Sequence, residues 1–312
     1  KKKHTIGRDF DNLIITSGAQ QVMDLATKAL CNFGDVVISE TPSFIGSLNC
    51  FRSYGVTLRG VPVEDDGMNM EVLEQKLRDN KNVRFIYTIP NFQNPSGVTM
   101  SLEKRKQLYA LAKQYGVLIL EDNPYGDLRV AGEPVPSIKS MDEDGIVIYA
   151  GSFSKIFAPG VRVAFTVAPA EIVAKMTVGK QAADVHTPVF TQMLVDEWMK
   201  TTDFEGHIEK IRDIYRRKLN LMCDLIDEQL GDFVRYVRPE GGMFVWCELP
   251  ERVDMMDFCK RAVEKKVAVV PGSAFIVEPD EVVNSIRLNF TTPSDERIVE
   301  GMHILGELSH AL

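Results

Sequence analysis

The sequence predicts an α/β protein built on a mostly parallel sheet. Three observations carry this reading. Apolar runs such as Val36-Val37-Ile38, Phe85-Ile86-Tyr87-Thr88-Ile89 and Val117-Leu118-Ile119-Leu120 recur with little polar interruption, as in strands buried on both faces. Stretches of helical length separate them, so successive strands are joined by crossovers over the sheet. The chain has 312 residues, 45% of them hydrophobic, enough for a buried core and for about two domains.

The elements follow in order. Residues 13–16 read as a short strand. Ser17-Gly18-Ala19-Gln20-Gln21 comes next, and Val22, Met23, Leu25, Ala26, Ala29 and Leu30 then fall at helical spacing. Small residues opening a helix offer free amides and a favourable dipole to a phosphate; an N-cap by Ser17 explains them as well. Strands at 36–38, 56–63, 85–89 and 117–120 alternate with helices at 43–54, 70–79 and 101–115. Strands 146–150 and 163–167 come after these. From Pro188 to about Leu230 the texture is helical, with Ile208, Ile211, Ile214 and Tyr215 at helical spacing. A smaller α+β unit follows, from residues 233–237 and the apolar strand Gly241 to Cys247 onward. It adds a helix at 254–265, strands at 267–270 and 285–289, and a last helix at 295–308. The expected division is 1–201 and 202–312.

Ligands of parallel sheets bind beyond the carboxyl ends of the strands, and three polar groups stand there. Asn91-Phe92-Gln93-Asn94-Pro95-Ser96-Gly97 follows one strand, as a turn or a ligand contact. Glu121-Asp122-Asn123-Pro124-Tyr125 ends another, where a part-buried carboxylate needs a partner. The third is Ser152-Phe153-Ser154-Lys155, continuing to Pro159-Gly160-Val161-Arg162, set between two buried strands. A desolvated lysine amine is more often neutral and attacks carbonyls. The hydroxyls of Ser152 and Ser154 and the charge of Arg162 suit a phosphate. An amine beside a phosphate cradle is what pyridoxal phosphate (PLP) requires, although a strand-end lysine with turn serines is the commoner meaning of so short a motif. Arg287, a charge inside Ser285-Ile286-Arg287-Leu288-Asn289, needs an anion, either a local carboxylate or a ligand.

Composition narrows the functional class. Lys+Arg is 36 and Asp+Glu is 44, a net charge of −8 with no basic block, which argues against a nucleic-acid surface. No apolar run approaches the ~20 residues of a membrane span. The five cysteines are scattered without a C-x-x-C pair and read as core thiols of a reducing, cytoplasmic compartment. The five histidines show no metal spacing. Lys1-Lys2-Lys3-His4 reads as the basic end of a helix whose earlier turns are absent, so an N-terminal portion of the natural protein is expected to be missing.

In this order, Thr16 to Gln21, Asn94-Pro95-Ser96-Gly97, Glu121 to Tyr125, Ser152 to Arg162 and Gly241-Gly242-Met243-Phe244 resemble class I aminotransferases, the fold-type I PLP-dependent enzymes. The nearest branch is that of 2-aminoadipate aminotransferases and MocR-type regulators. The resemblance spans essentially the whole chain. It implies a seven-stranded-type sheet sandwiched by helices, with a smaller C-terminal domain. It implies that Lys155 bonds the cofactor and then moves a proton, and that Asp122 pairs with the ring nitrogen. Asn94 and Tyr125 would meet the ring's phenolic oxygen, and Phe44 would stack on the ring. Gly18, Ala19, Gln20, Ser152, Ser154 and Arg162 would hold the phosphate. Arg287 would grip the substrate α-carboxylate, with Asn94 beside it. No metal is implied.

The implied activity moves an amino group from an L-α-amino acid to a 2-oxo acid, with 2-oxoglutarate as the expected acceptor, in a homodimer. Lysine, aspartate and arginine are shared with C–S lyases of the same fold, so β-elimination stays open. So does the effector-binding half of a MocR-type regulator, which would bind nucleic acid only through a domain preceding residue 1. The amino donor is not specified by these motifs.

Overall fold

The structure is a computed structural model and describes residues 6–311; the basic stretch Lys1 to His4 lies outside them. The chain begins with β1 (Asp11–Thr16), α1 (Ala19–Leu30), β2 (Val36–Thr41), α2 (Ile45–Ser53) and β3 (Thr57–Glu64). It continues with β4 (Gly67–Met68), α3 (Met70–Asp79), β5 (Val83–Thr88), α4 (Leu102–Tyr115) and β6 (Leu118–Asn123). Then come β7 (Val147–Ser152), β8 (Ala164–Pro169), α5 (Ala170–Ala183), α6 (Val189–Thr201) and α7 (Phe204–Gln229). The last elements are β9 (Phe244–Glu248), α8 (Met255–Glu264), β10 (Val270–Pro271), β11 (Ser285–Asn289) and α9 (Asp295–His310).

Among the described residues the main sheet has eight strands in the order β1-β8-β7-β6-β5-β2-β3-β4. The five strands from β7 to β3 are mutually parallel. β8 is antiparallel to both β7 and β1, so β1 points the same way as the parallel strands. The carboxyl ends of β1, β2, β5, β6 and β7 therefore share one edge. The pleat explains why the runs are apolar throughout. Phe85, Tyr87, Leu120 and Ile148 enter the core shared with α1 and α2. Their neighbours Ile86, Ile119 and Val147 enter the core shared with α3 and α4. Residues alternating along a strand face opposite sides, and both sides are covered. Helix starts at 70 and 102 follow from Asn69 and Ser101, whose side chains accept backbone N–H bonds from Val72 and Lys104. A second, three-stranded sheet, β10-β11-β9, packs with α8, α9 and the later turns of α7 around its own core.

Several details depart from the expectations. The main sheet gains an eighth strand, the two-residue edge β4, too short to show any periodicity. Helix α5 went unread because few of its positions are buried. The strand expected at 233–237 is not formed: a tight turn ends at Phe233, and one isolated bridge, Arg235 to Glu248, follows. The strand expected at 267–270 is reduced to Val270–Pro271. Ser17 does not cap α1: the cap position is Gly18, and the Ser17 hydroxyl donates to Asp184 Oδ2 at 2.7 Å.

The loop after β5 is held by Arg105, which is fully buried on α4. Its guanidinium donates to the carbonyls of Pro90, Met100 and Pro136 and to Asn91 Oδ1, at 2.7–3.0 Å. These neutral acceptors satisfy the buried charge and fix the backbone that presents Asn94.

Candidate active site

The site forms at the shared carboxyl edge. β1 ends at Thr16, and the chain passes through Gly18 at φ 85° and ψ 162° before α1 begins. That region is essentially closed to residues with a Cβ. Gln20 Nε2 donates to the Gly46 carbonyl at 2.9 Å, which ties its side chain to the start of α2. The amides of Ala19 and Gln20 have no backbone acceptor among the described residues. Arg162 closes the cradle from the other side. It adopts a left-handed conformation, φ 52°, and donates to Ser17 O, Pro159 O and Ser154 Oγ. A Cβ at Gly18 would lie 1.8 Å from its Nη2. Ser152 Oγ accepts the Ser154 amide at 3.1 Å, which folds the turn that carries Lys155.

Lys155 is half-buried in that turn. Burial lowers its pKa, and the nearby positive charges of Arg162 and Arg287 lower it further. Each effect enlarges the neutral, nucleophilic fraction.

Asp122 lies near the end of β6 and is buried. Its Oδ2 accepts from the Tyr87 hydroxyl at 2.9 Å, while Oδ1 is buried with no partner. Desolvation pushes its pKa up to about 7; Tyr87 pulls it down and the Glu40 charge pushes it up. No cation figures among those influences. Glu121, one residue earlier, faces the other way and accepts the amides of Ile138 and Lys139 at 2.9 and 2.7 Å. The pleat thus makes one neighbour structural and leaves the other an acceptor for a ligand.

Arg287 arrives from β11. No carboxylate acts on it among the described residues, so the local salt bridge left open by the sequence is not formed. Nη1 donates to Asn94 Oδ1 at 2.8 Å, and Nε is buried without a partner. The guanidinium carbon sits 4.1 Å from the centre of the Phe244 ring and 4.9 Å from that of Phe275. Asn94 Nδ2 reaches the Tyr125 hydroxyl at 3.5 Å. Phe44 precedes α2, and its ring edge and the Gln20 amide oxygen both lie close to Gly46. Tyr87, Ser47 and Phe275 join this set without having been singled out. Tyr87 shares the run 85–89 with a second hydroxyl, Thr88, so nothing along the sequence sets it apart.

These groups fit pyridoxal phosphate: free amides and a guanidinium for a phosphate, a buried carboxylate with one oxygen unpartnered for a protonated ring nitrogen, and a part-neutral lysine for an aldehyde. No group of His, Cys, Asp and Glu suited to a metal ion occurs among the described residues.

The chain is similar to known proteins along nearly its whole length. The family model "Aminotransferase class I and II" matches residues 2–305. Aromatic-amino-acid aminotransferase 1 of Thermococcus litoralis is 43% identical over 300 residues, covering 95% of this chain and 72% of that protein. The 2-aminoadipate transaminase of Thermus thermophilus is 39% identical, covering 96% and 76%. The crystal structure of Pyrococcus horikoshii kynurenine aminotransferase in complex with PMP superposes with a TM-score of 0.95 at 40% identity, covering 99% of this chain and 77% of that one.

Gly18→Ala tests the cradle. The Arg162 guanidinium can swing aside, but the backbone at φ 85° cannot relax without moving the start of α1. A stability loss of ~1–3 kcal/mol is expected in urea unfolding; an unchanged midpoint would show that Gly18 is not strained.

Proposed function

Because this chain belongs to the class I and II aminotransferase family, whose PLP chemistry transfers an amino group to a 2-oxo acid, we propose that Lys155, Asp122 and Arg287 are the residues that carry that reaction here. Two orphaned buried atoms, Asp122 Oδ1 and Arg287 Nε, support this reading most directly. Unpaired polar atoms of this kind are costly in a folded chain, and each matches one charged end of the expected ligands.

Bound at this edge, PLP supplies an aldehyde and an electron-withdrawing ring. Lys155 supplies the amine that bonds the cofactor, and holds or returns the proton at the substrate α-carbon. Asp122 keeps a proton on the ring nitrogen by its charge. Asn94 and Tyr125 orient the phenolic oxygen, and Phe44 covers the ring. The amides of Ala19 and Gln20, the turn at Gly18, Ser152, Ser154 and Arg162 hold the phosphate. Arg287 takes the α-carboxylate, its plane held by Phe244 and Phe275. Residues 202–312 form the smaller lobe that brings Arg287. 2-Oxoglutarate is the proposed acceptor, and a panel of amino donors assayed against it identifies the donor.

We further place the site at a homodimer interface. Helix α6 exposes Val189, Phe190, Met193, Leu194 and Met199, with Phe190 78% exposed. A groove of about 420 Å³ beside it is lined by Phe153 and Val163, from the loop that carries Lys155. An apolar patch of this kind, continuous with the site, suits a second subunit. A cytoplasmic location is proposed from the five unpaired cysteines, which cell fractionation checks.

Lys155→Ala should lose covalent trapping of the cofactor by borohydride and at least ~10²–10⁴-fold in turnover. Cofactor still reduced onto the variant would assign the bond to another lysine. Arg287→Ala should raise KM for amino acid and oxo acid together by ~10- to 100-fold; a change in only one of them would remove Arg287 from the shared carboxylate site. For the dimer, sedimentation at assay concentration should give twice the monomer mass, and a fully active monomer would reject the interface.

A further inference from the structure

The assignment above leaves Tyr87 and Ser47 without a role. Tyr87 is fully buried on β5, its hydroxyl 2.9 Å from Asp122 Oδ2 and 2.9 Å from Ser47 Oγ. Ser47 is fully buried on α2. A phenol has one proton to donate, and an ionised carboxylate only accepts. With Asp122 ionised, the Tyr87 proton goes to Oδ2, and the Tyr87 oxygen accepts from Ser47. The chain therefore runs one way, from Ser47 through Tyr87 to Asp122. It ends on Oδ2 and leaves Oδ1 unpartnered.

We propose that Tyr87, backed by Ser47, is a positioning residue that fixes the orientation of Asp122 and supplies the hydrogen bond on which its buried carboxylate depends. This rests on the reading of Asp122 as the partner of the ring nitrogen.

The surroundings give Tyr87 this weight. The titratable groups facing Asp122 are Tyr87 on β5, Glu40 on β2 and Tyr125 after β6, and Tyr149 on β7 feels its charge from the Glu121 face; none is a cation. Glu40 is itself raised by burial, its oxygens taken by Thr88, the Ile89 amide and Gln93. Burial raises the phenols of Tyr125 and Tyr149, which stay neutral. Burial and Glu40 favour the protonated carboxyl; the Tyr87 bond is the influence that favours the carboxylate. The Tyr87 phenol lies well above its ordinary pKa, so it remains a donor at neutral pH.

Tyr87→Phe keeps the ring and its edge contact with Phe51, 5.2 Å between centres, and removes only the donor. The first readout is the infrared band of protonated carboxyl in the full chain without added cofactor, assigned by its loss in Asp122→Asn. In the parent protein this band should titrate near pH 7. In Tyr87→Phe its midpoint should rise by roughly one pH unit, and in Ser47→Ala by less. The second readout is the absorbance of bound PLP against pH, in which Tyr87→Phe should shift the same way. A Tyr87→Phe midpoint equal to the parent's would overturn the proposal, even if stability falls. Should Tyr87→Phe fail to fold, an unmoved midpoint in Ser47→Ala overturns the directed chain. A moved midpoint with full transamination by Asp122→Asn would overturn the role of Asp122 toward the ring, and not the bond that orients it.

Discussion

A carboxylate buried at the end of a parallel strand, with no cation beside it, is the constraint on which the site depends. Moving such a group out of water costs several kcal/mol unless it is paired or protonated. Asp122 has one hydrogen bond from the protein, and burial lifts its pKa to about 7. In the role proposed for Asp122, a protonated pyridine ring would offer the missing positive charge to Oδ1, which has no partner. The sheet makes this possible. Consecutive residues on β6 face opposite sides, so Glu121 ties the 138–139 backbone in place while Asp122 is left for the ligand.

The other buried charges show the contrast. Lys139 is fully buried but meets Asp11 and Asp142 at 2.8 Å and the Val147 carbonyl at 2.9 Å. Arg105 is fully buried among neutral acceptors. Both are completely satisfied, and both hold backbone in place. Asp122 and Arg287 each retain a buried atom with no partner. Asp295 also keeps one buried unpaired oxygen, but its other oxygen pairs with Arg217. Satisfaction, more than burial, separates Lys139 and Arg105 from the two charges proposed to meet ligands. It also locates the positive end of the site: Arg162, Arg287 and Lys155 gather at one edge of a chain whose net charge is −8.

Most of the fold was legible because its strands are apolar on both faces and several of its helices carry apolar residues at helical spacing. The sheet's direction followed from the crossovers, and the strand ends located the polar loops. What escaped were elements with weak patterns: α5, whose positions are seldom buried, and β4, which is two residues long. Among site residues, charged groups inside apolar runs stood out, as with Asp122 and Arg287. Tyr87 and Ser47 did not, since a tyrosine in a strand and a serine on a helix are ordinary. Their meaning lies in a distance between β5 and α2 that no spacing along the chain records.

Arg287 shows why the smaller lobe matters to chemistry that starts on the larger one. Its guanidinium is held by two aromatic faces and one amide oxygen, none of them charged. The rings fix its plane, and Asn94 fixes its rotation from the opposite lobe. A carboxylate in their place would have held the side chain more strongly but neutralised it. With neutral supports the positive charge is left uncompensated, as the proposed grip on a substrate carboxylate requires, and burial would let it act through a medium that screens less than water. A lysine would keep the charge and lose the flat stacking surface and the forked donors. The same Asn94 touches Arg287 through Oδ1 and Tyr125 through Nδ2. In the roles proposed for these residues, one side chain would tie the grip on the α-carboxylate to the orientation of the cofactor ring.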